Sequence, residues 1–416
     1  MKVCLVNTHD NTGGAAIAAY RLHQALQQTG IDSRMLVQHK ITSDDTVLGP
    51  DTGDEDRLAR IRRNIDRRLV YLYPRRNREA TWSINAFPHR IASKINALNP
   101  DIVHLHWIGF GFVPVSEIRK IKKPIVWTLH DMWAFTGGCH YAGDCTRYRE
   151  QCGRCPQMRS HTNYDLSSFV WKRKAVSWKD TNLVAVCPSK WLAECARESS
   201  LFRNIPIEVI PNGIDTDIFR PIKKLAARMT LGLPLDKKLI LFGAMNSTGD
   251  KRKGFPYLVS ALKQLSATDP SMKPECVIFG STDRMPIEIP GHRVHNLGKV
   301  PGEERLALVY SAADVFVAPS EQENLANTVM ESMSCGTPVV AFNVGGMPDM
   351  IEHKCNGYLA KPFGCQDLAD GISWILKNEK QHKLLSESAR KKVLENYESK
   401  HIARRYLNLY DKNATS

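Results

Sequence analysis

The chain has 416 residues, of which 43% are hydrophobic and 24% are charged, and its formal net charge is +14. This length predicts two domains, and the composition excludes collagen-like and largely disordered chains. No apolar run approaches the roughly 18–20 residues of a membrane-spanning helix, and the apolar stretch at the start is too short for a signal peptide. We therefore expect a cytoplasmic protein.

Strand-like apolar runs alternate with helical patterns along both halves of the chain. In the first half, a strand at residues 2–7 leads through Gly13-Gly14 into a helix, and four more strand runs follow. A second series begins near residue 238, after a stretch at residues 207–222 that is rich in Pro, Gly, Asn and Asp and fits a connector. The pattern predicts two α/β halves, each built on a parallel sheet.

Two acidic side chains mark the most informative motif, which spans residues 318–340. Glu323 follows a strand, and Glu331 lies eight positions further on, about two turns into the next predicted helix. The backbone N–H groups of residues 325–327 are expected to open that helix, where they suit a phosphate or another anion. Carboxylates on either side of an anion site are suited to accept hydrogen bonds from sugar hydroxyl groups.

This motif resembles the E-x7-E signature of the family 4 retaining glycosyltransferases, which have the GT-B fold. Further matches, in the order of the family, are Gly13-Gly14, His130 in TLHDMW, the connector IPNGIDTDIF, and Lys253-Gly254. The resemblance covers most of the chain. It implies an α/β protein in which two Rossmann-like domains face each other across a nucleotide-sugar cleft.

The resemblance also implies a division of the chain. Residues 1–210 are expected to form the acceptor domain, residues 211–395 the domain that binds the donor nucleotide, and residues 396–416 a helix that crosses back to the first domain. Within the first domain, we expect a Cys-rich insert at residues 137–158 and a basic segment at residues 57–94.

Roles for single residues follow from the same resemblance. Glu323 and His130 are expected to contact the transferred sugar and to be the catalytic residues. Lys253 is expected to hold the diphosphate and Glu331 the ribose, whereas Gly14 lets the backbone approach the phosphate. The donor is expected to be a UDP- or GDP-linked sugar, and the chemistry is expected to need no metal ion. The other implied donor-binding residues are Gly280, Val300, Asn324, Leu325, Ala326 and Asn327.

One position departs from the family pattern. Members commonly carry an Arg directly after the Gly that ends the first strand of the donor domain, whereas Ala244 follows Gly243 here. Without this guanidinium, the contacts to the diphosphate other than that of Lys253 stay open. The candidates to replace it are Arg252, Lys251, Ser247 and Thr248.

Four of the eleven cysteines lie within seventeen residues, with the spacing C-x5-C-x6-C-x2-C. This spacing predicts a structural zinc ion in a closed shell of four thiolates, and metal binding would supply folding energy that a polar, Gly-rich insert lacks. An iron–sulfur cluster, disulfides and four reduced thiols are the alternatives. The predicted ligands are Cys139, Cys145, Cys152 and Cys155.

The basic segment of residues 57–94 holds eleven basic and two acidic side chains. Its basic residues alternate with Leu, Ile, Val, Tyr and Trp at near-helical spacing, which suits an anionic membrane surface. The alternative is a solvated helix face followed by a basic loop. Nucleic acid is not expected as a partner, because no recognition motif accompanies the charge.

Together with the resemblance, these features predict a retaining, hexosyl-type glycosyltransferase. It would transfer a sugar to a lipid-linked glycan acceptor, peripherally on the inner face of the cell membrane, in bacterial cell-surface polysaccharide biosynthesis. The Cys spacing is similar to that of family members of exopolysaccharide assembly, such as colanic acid transferases. The alternatives are a nucleotide-sugar epimerase of the same fold and a non-enzymatic, zinc-dependent membrane scaffold.

Overall fold

The computed structural model describes residues 1–50, 52–281 and 287–414. Two compact units divide the chain, Met1–Gly213 with Lys400–Ser416, and Ile214–Ser399. The predicted boundaries after residues 210 and 395 lie a few residues from the limits of these units. The last two residues of the predicted helix 396–416 lie outside the described part of the chain. The acceptor and donor roles of the two units stay predictions.

A seven-stranded parallel sheet forms the centre of the first unit. Its strands are β1 (Lys2–His9), β2 (Asp32–His39), β3 (Val47–Leu48), β4 (Ile102–Leu105), β5 (Ile125–Thr128), β6 (Leu183–Cys187) and β7 (Ile207–Val209), in the order β3-β2-β1-β4-β5-β6-β7. Its helices are α1 (Gly14–Gln28), α2 (Gly53–Leu69), α3 (Ile91–Leu98), α4 (Leu166–Trp178) and α5 (Lys190–Glu198). The inner strands are continuous apolar runs, as expected for a sheet that is covered on both faces.

The second unit is built on six parallel strands. These are β8 (Leu239–Gly243), β9 (Glu275–Phe279), β10 (Val294–Asn296), β11 (Val315–Ala318), β12 (Val339–Phe342) and β13 (Gly357–Ala360), in the order β10-β9-β8-β11-β12-β13. Its helices are α6 (Lys224–Leu231), α7 (Phe255–Thr268), α8 (Glu303–Ala312), α9 (Asn327–Ser334), α10 (Met347–Met350), α11 (Cys365–Lys377) and α12 (Glu379–Asn396). Both units are therefore Rossmann-like, as predicted.

The last helix, α13 (Ser399–Ala414), packs on the sheet of the first unit. Its Tyr406 and Tyr410 are buried with core residues of β1 and β5. The Tyr406 hydroxyl lies 2.8 Å from Thr128 Oγ1, and the Tyr410 hydroxyl lies 2.6 Å from His104 Nδ1. Helix α13 is therefore part of the first unit.

Helix α2 occupies the first part of the basic segment. Thr52 Oγ1 accepts a hydrogen bond from Glu55 N at its start, and Arg67 and Arg68 lie in its last turn, where positive charge is favourable to the helix dipole. Beyond α2, a short 3-10 helix at Val70–Leu72 ends the helical part, so the predicted helical spacing does not continue through residue 90. None of the described helices is long and apolar enough to cross a membrane.

The Cys-rich insert contributes apolar side chains to the first unit, although its sequence is polar and rich in Gly. Ala142, Tyr148 and Cys152 are buried in the main core of the first unit, and Cys155 and Met158 in a smaller cluster with Trp82. The insert is also tied to residues 81–83 by backbone hydrogen bonds of 3.0 and 3.1 Å. Burial of its few apolar side chains therefore holds the insert on the domain.

Candidate functional site

Lys253 and Glu323 form an ion pair in the second unit, with Lys253 Nζ 2.5 Å from Glu323 Oε2. The Glu323 residue is 8% exposed, so its carboxylate is largely withdrawn from water and Lys253 compensates its charge. The two residues are 70 positions apart in the sequence. The structure thus brings together two side chains that the sequence assigned to the same donor.

Backbone contacts position this pair. Lys253 ends a 3-10 turn before Gly254, whose φ of +79° favours glycine and where an added Cβ would lie 1.8 Å from Pro319 O. Glu321 N donates to Arg252 O at 2.8 Å. On the other side, Gly346 N donates to Glu323 O at 3.0 Å, and a Cβ on Gly345 would lie 1.9 Å from the same oxygen. The loops that carry Lys253 and Glu323 are therefore held by contacts that leave no room for side chains.

Helix α9 begins shortly after Glu323. Its N-cap residue is Ala326, whose side chain cannot cap the helix, and the first helical residue is Asn327. Leu325 therefore precedes the helix, whereas the sequence placed it at the helix start. Asn324, Leu325 and Ala326 are each less than 9% exposed. The side chain of Ala326 makes no capping hydrogen bond, and the positive end of the helix dipole favours an anion at this end of α9.

Glu331 is the fifth residue of α9, little more than one turn into the helix and not two as predicted. It is 4% exposed, and its Oε2 accepts a hydrogen bond of 2.7 Å from the hydroxyl of Tyr310, a fully buried residue of α8. An ordinary helix-surface Glu is excluded by this burial. The carboxylate is held in one orientation, and Tyr310 is a supporting residue that the sequence did not reveal.

The loop after β8 contains the departure at Ala244. Gly280 has a φ of +76°, and a Cβ there would lie 1.9 Å from Ala244 O, so the ends of β8 and β9 approach each other closely. Among the four candidates to replace the missing Arg, Arg252 is paired with Asp250 at 2.8 Å, and Thr248 Oγ1 lies 2.9 Å from Ser281 Oγ.

Ser247 differs from those candidates, because its Oγ is buried and has no hydrogen-bond partner among the described residues. A buried hydroxyl without a partner is costly, so Ser247 is the best placed of the four to meet a ligand oxygen. Val300, one of the predicted donor-binding residues, is half-buried against the core of the second unit.

His130 belongs to a row of histidines at the ends of β4 and β5 in the first unit. Its Nε2 lies 3.0 Å from His106 Nδ1, and the ring centroids of His106 and His104 are 4.1 Å apart. Burial lowers the pKa of His130 to about 4, against the opposing effect of Asp131, and lowers the pKa of His104 to about 3. Burial lowers the pKa of His106 as well, so all three rings are neutral at pH 7.

A second polar chain adjoins His130. Asp131 Oδ2 accepts from His140 Nδ1 at 2.7 Å and from Trp107 Nε1 at 2.7 Å, and His140 Nε2 lies 2.8 Å from Ser83 Oγ. Burial raises the pKa of Asp131, but the charge of His140 and three hydrogen bonds outweigh burial and lower it. Ser83 is fully buried. The hydrogen bonds of this Ser–His–Asp series hold the loop after β5.

Gly14 is the first residue of α1. It follows Gly13, which has a φ of +98° and provides no side-chain cap. The positive end of the α1 dipole lies at this N-terminus and favours an anion there.

The four cysteines of the insert are free thiols. Burial, with a smaller contribution from neighbouring cysteines, raises the pKa of Cys139, Cys152 and Cys155 to about 12. Within the described residues, no group of three or more His, Cys, Asp or Glu side chains is arranged to hold a metal ion. A structural zinc ion on Cys139, Cys145, Cys152 and Cys155 stays a prediction.

Comparisons with known proteins agree with this description of two units. The family model "Glycosyl transferases group 1" matches residues 236–378, and "Glycosyltransferase Family 4" matches residues 12–218. An uncharacterized glycosyltransferase of Methanocaldococcus jannaschii is 32% identical over an alignment of 338 residues, and the match covers 74% of this chain and 82% of that protein.

A D-inositol 3-phosphate glycosyltransferase of Mycolicibacterium smegmatis is 28% identical over 291 residues. The match covers 67% of this chain but only 60% of the relative. Among solved structures, HepE of Anabaena in complex with UDP and glucose has a TM-score of 0.67 at 17% identity, with 99% of both chains covered.

The two parallel-sheet units define a glycosyltransferase of the GT-B fold. The chain belongs to the family 4 glycosyltransferases.

Proposed function

We propose that the chain is a retaining enzyme that transfers a hexosyl group from a UDP- or GDP-linked donor to a glycan acceptor. The observation that carries this proposal is the Lys253–Glu323 pair next to the start of α9. A bound diphosphate would compete for the Lys253 ammonium and for the N–H groups of α9. Glu323 would then be left to accept a hydrogen bond from a hydroxyl group of the transferred sugar.

The same groups account for the proposed chemistry. In retention, the acceptor hydroxyl attacks the anomeric carbon on the face from which the diphosphate departs. The bond between that carbon and the diphosphate oxygen breaks, and the diphosphate takes the hydroxyl proton. Lys253 and the α9 N–H groups would stabilise the negative charge on the leaving group, so that no divalent cation is required. Glu331, held by Tyr310, is assigned to the ribose.

His130 is assigned to the donor sugar. Because its pKa is about 4, the ring is neutral at the pH of a cell and would act as a hydrogen-bond donor rather than as a general acid. Gly14, Gly280, Val300, Asn324, Leu325, Ala326 and Asn327 complete the proposed donor site.

We further propose a lipid-linked acceptor, a place on the inner face of a bacterial membrane, and a role in cell-surface polysaccharide biosynthesis. Support comes from helix α2 and the 3-10 turn after it, where Leu58, Ile61, Tyr71 and Leu72 are 44–73% exposed among the basic residues of the segment. Exposed apolar side chains between arginines suit an anionic lipid surface.

A panel of UDP- and GDP-linked sugars tests the enzymatic proposal. Slow release of free sugar and nucleoside diphosphate supports a transferase, and the anomeric configuration of the product formed with an acceptor reports retention. Activity that survives a chelator supports metal-independent chemistry. An isomerised sugar nucleotide would instead identify an epimerase, and the absence of both turnover and binding would favour a scaffold.

Glu331→Gln tests the ribose assignment with the free nucleoside diphosphate as the probe. We expect weaker binding, because the amide accepts a weaker hydrogen bond than the carboxylate does. Glu304→Gln, on the exposed surface of α8, is the matched control. Equal affinity of both variants and the wild type would refute the assignment.

Sedimentation with vesicles tests the membrane proposal. Arg67→Glu/Arg68→Glu should reduce binding to phosphatidylglycerol vesicles, with little binding of any variant to phosphatidylcholine. Lys380→Glu/Lys383→Glu, in the first turns of α12, makes the same change of charge elsewhere. Equal losses of vesicle binding in both double variants would show that net charge alone causes the effect.

A further inference from the structure

A cavity of about 340 Å³ lies in the first unit, between the end of β2, helix α2 and the start of α3. Its volume is at the lower end of the range for small-molecule sites and fits a ligand of about the size of a monosaccharide. Leu36, Leu58, Ile91 and Phe112 form apolar parts of its wall. None of the proposed donor-binding residues lines it.

The charge of the cavity is positive. Arg62, Arg90 and Lys94 line it, and Glu55 is the only acid among its lining residues in the described part of the chain. Lys94 Nζ is bound to Glu55 Oε2 at 2.6 Å. Neither Arg62 nor Arg90 has a carboxylate within ion-pair distance among the described residues. Two guanidinium groups are therefore available to an anion.

Two buried polar atoms of lining residues have no partner. Gln38 is 2% exposed; its Nε2 donates to Ala59 O at 3.2 Å, but its Oε1 accepts nothing from any described residue. The Nε of Arg62 is likewise buried and unpaired within the described residues. Buried polar groups in folded proteins are nearly always hydrogen-bonded, so each of these atoms indicates a missing ligand group.

The orientation of Arg62 is set by its neighbours. Its Nη2 lies 3.5 Å from His89 Nε2, and His89 Nδ1 lies 3.0 Å from Phe112 O. Because a carbonyl can only accept, Nδ1 carries the proton and Nε2 of the neutral ring is free to accept from Arg62. The guanidinium is thus held by one nitrogen, while its Nε–H remains for another acceptor.

We propose that this cavity binds a hydroxyl-bearing organic anion, with a phosphoryl or carboxyl group on Arg62 and Arg90 and a hydroxyl group that donates to Gln38 Oε1. The carbon face of the ligand lies on Phe112 and Leu58. The proposal rests on the proposed transferase function, since such a ligand is the anionic sugar unit of a glycosyl acceptor. A free sugar phosphate and the first sugar of a lipid-linked diphosphate share this chemistry.

Calorimetry with the full chain tests the site. The soluble probes are glucose 1-phosphate, glucose 6-phosphate, inositol 1-phosphate and glucuronate, with glucose as the uncharged reference, and the lipid-linked probe is farnesyl-diphosphoglucose. We expect at least one anionic probe to bind and glucose to bind at least tenfold more weakly. Binding of the farnesyl compound alone would identify a lipid-linked diphosphate as the ligand. Binding of the soluble phosphates would identify a free sugar phosphate.

Arg62→Gln should weaken binding of the anionic probe about tenfold or more, because a charge-assisted contact is lost. Arg60→Gln is the matched control, since Arg60 lies on the same helix, is exposed and pairs with Asp56 at 2.8 Å outside the cavity. Should Arg62→Gln unfold, Arg90→Gln is the second test, because Arg90 is exposed. Unchanged affinity in folded Arg62→Gln and Arg90→Gln, or no binding of any probe to the wild type, would overturn the site.

Hydrolysis of the donor without acceptor separates this proposal from the transferase proposal. A wild type that binds the anion through Arg62 but neither binds nor hydrolyses sugar nucleotides would refute the transferase proposal and leave the anion site standing.

Discussion

The candidate donor site of the second unit and the histidine row of the first unit are built by different means. Around Lys253 and Glu323, backbone atoms and glycines make the close contacts, and one ion pair joins the loops. Around His130, rings and hydroxyl groups are hydrogen-bonded to one another in a buried interior. In the first arrangement, Lys253 and Glu323 can exchange their contact with each other for contacts with a ligand. In the second, the polar groups hold the His130 ring in place.

This difference predicts where substitutions will act. A change in the second unit should alter ligand binding and turnover with limited loss of stability, unless it adds atoms to a close backbone contact. A change in the histidine row should appear first in stability and in its dependence on pH.

Gly254→Ala should have the largest effect. A left-handed backbone costs a non-glycine residue roughly 1–2 kcal/mol, and overpacking against Pro319 O adds about 1–3 kcal/mol. Gly232→Ala is the matched control in the same unit, because its φ is +65° but no atom lies within 4 Å of the added Cβ. Urea unfolding should give a loss of about 1–2 kcal/mol for the control and distinctly more for Gly254→Ala. Equal losses would show that the contact with Pro319 is unimportant.

Glu323→Gln should lower kcat/KM for the donor by roughly 10–150-fold, the range for one charge-assisted hydrogen bond of about 1.5–3 kcal/mol. The fold should be retained, because the amide replaces the carboxylate without a change of shape. Glu321→Gln, on an exposed residue two positions earlier, is the control. Steady-state rates equal to the wild type would remove Glu323 from the site.

The histidine row should make the first unit sensitive to acid. Unfolded His104 takes up a proton below about pH 6.5, whereas in the folded protein its pKa is about 3. Unfolding therefore binds a proton between these values, and stability falls as the pH is lowered from 6.5, by about 1.4 kcal/mol per pH unit for each such histidine. Above pH 6.5 this contribution is fully present.

His104→Gln should reduce the slope of stability against pH, because about one proton fewer is taken up on unfolding. His401→Gln, on an exposed residue of α13, should leave the slope unchanged. Tryptophan fluorescence measures the correct unit, because seven of the eight tryptophans precede residue 214. An identical slope in His104→Gln and the wild type between about pH 4.5 and 6.5 would contradict the lowered pKa.

Ser247→Ala should have the smallest effect. If the unpartnered Oγ meets a diphosphate oxygen, affinity for the nucleoside diphosphate should fall about 2–10-fold, the equivalent of one ordinary hydrogen bond. Thr248→Val is the comparison, because Thr248 already has Ser281 as a partner. A larger loss in Thr248→Val would transfer the role to that residue.

Much of the candidate donor site was predictable from the sequence because its determinants are local. Glu323, Asn324 and α9 follow β11 within a few residues, and the strand–loop–helix pattern places them at the end of a parallel sheet. The start of α9 and the depth of Glu331 in it were misplaced, since helix boundaries depend on capping that spacing does not reveal.

The Cys-rich insert shows what its own composition leaves out. Its C-x5-C-x6-C-x2-C pattern predicts a metal knuckle, which stays a prediction, and residues distant in sequence, such as Trp82 and Val70, supply an apolar surface on which Cys155 and Met158 pack. Because the rest of the domain provides this surface, the stability of the insert depends on the tertiary structure and does not follow from its polar composition.

The sequence by itself determined the two α/β units, their order and the residues of the E-x7-E motif, because period, turn residues and helix starts act over short stretches of chain. Only the tertiary structure decided that Lys253 pairs with Glu323, that Tyr310 holds Glu331, and that α13 supplies Tyr406 and Tyr410 to the first unit. The same is true of the positive cavity with its unpaired Gln38 and Arg62 atoms among the described residues. Such partners meet across tens to hundreds of residues, and their burial and hydrogen bonding depend on how the sheets and helices pack.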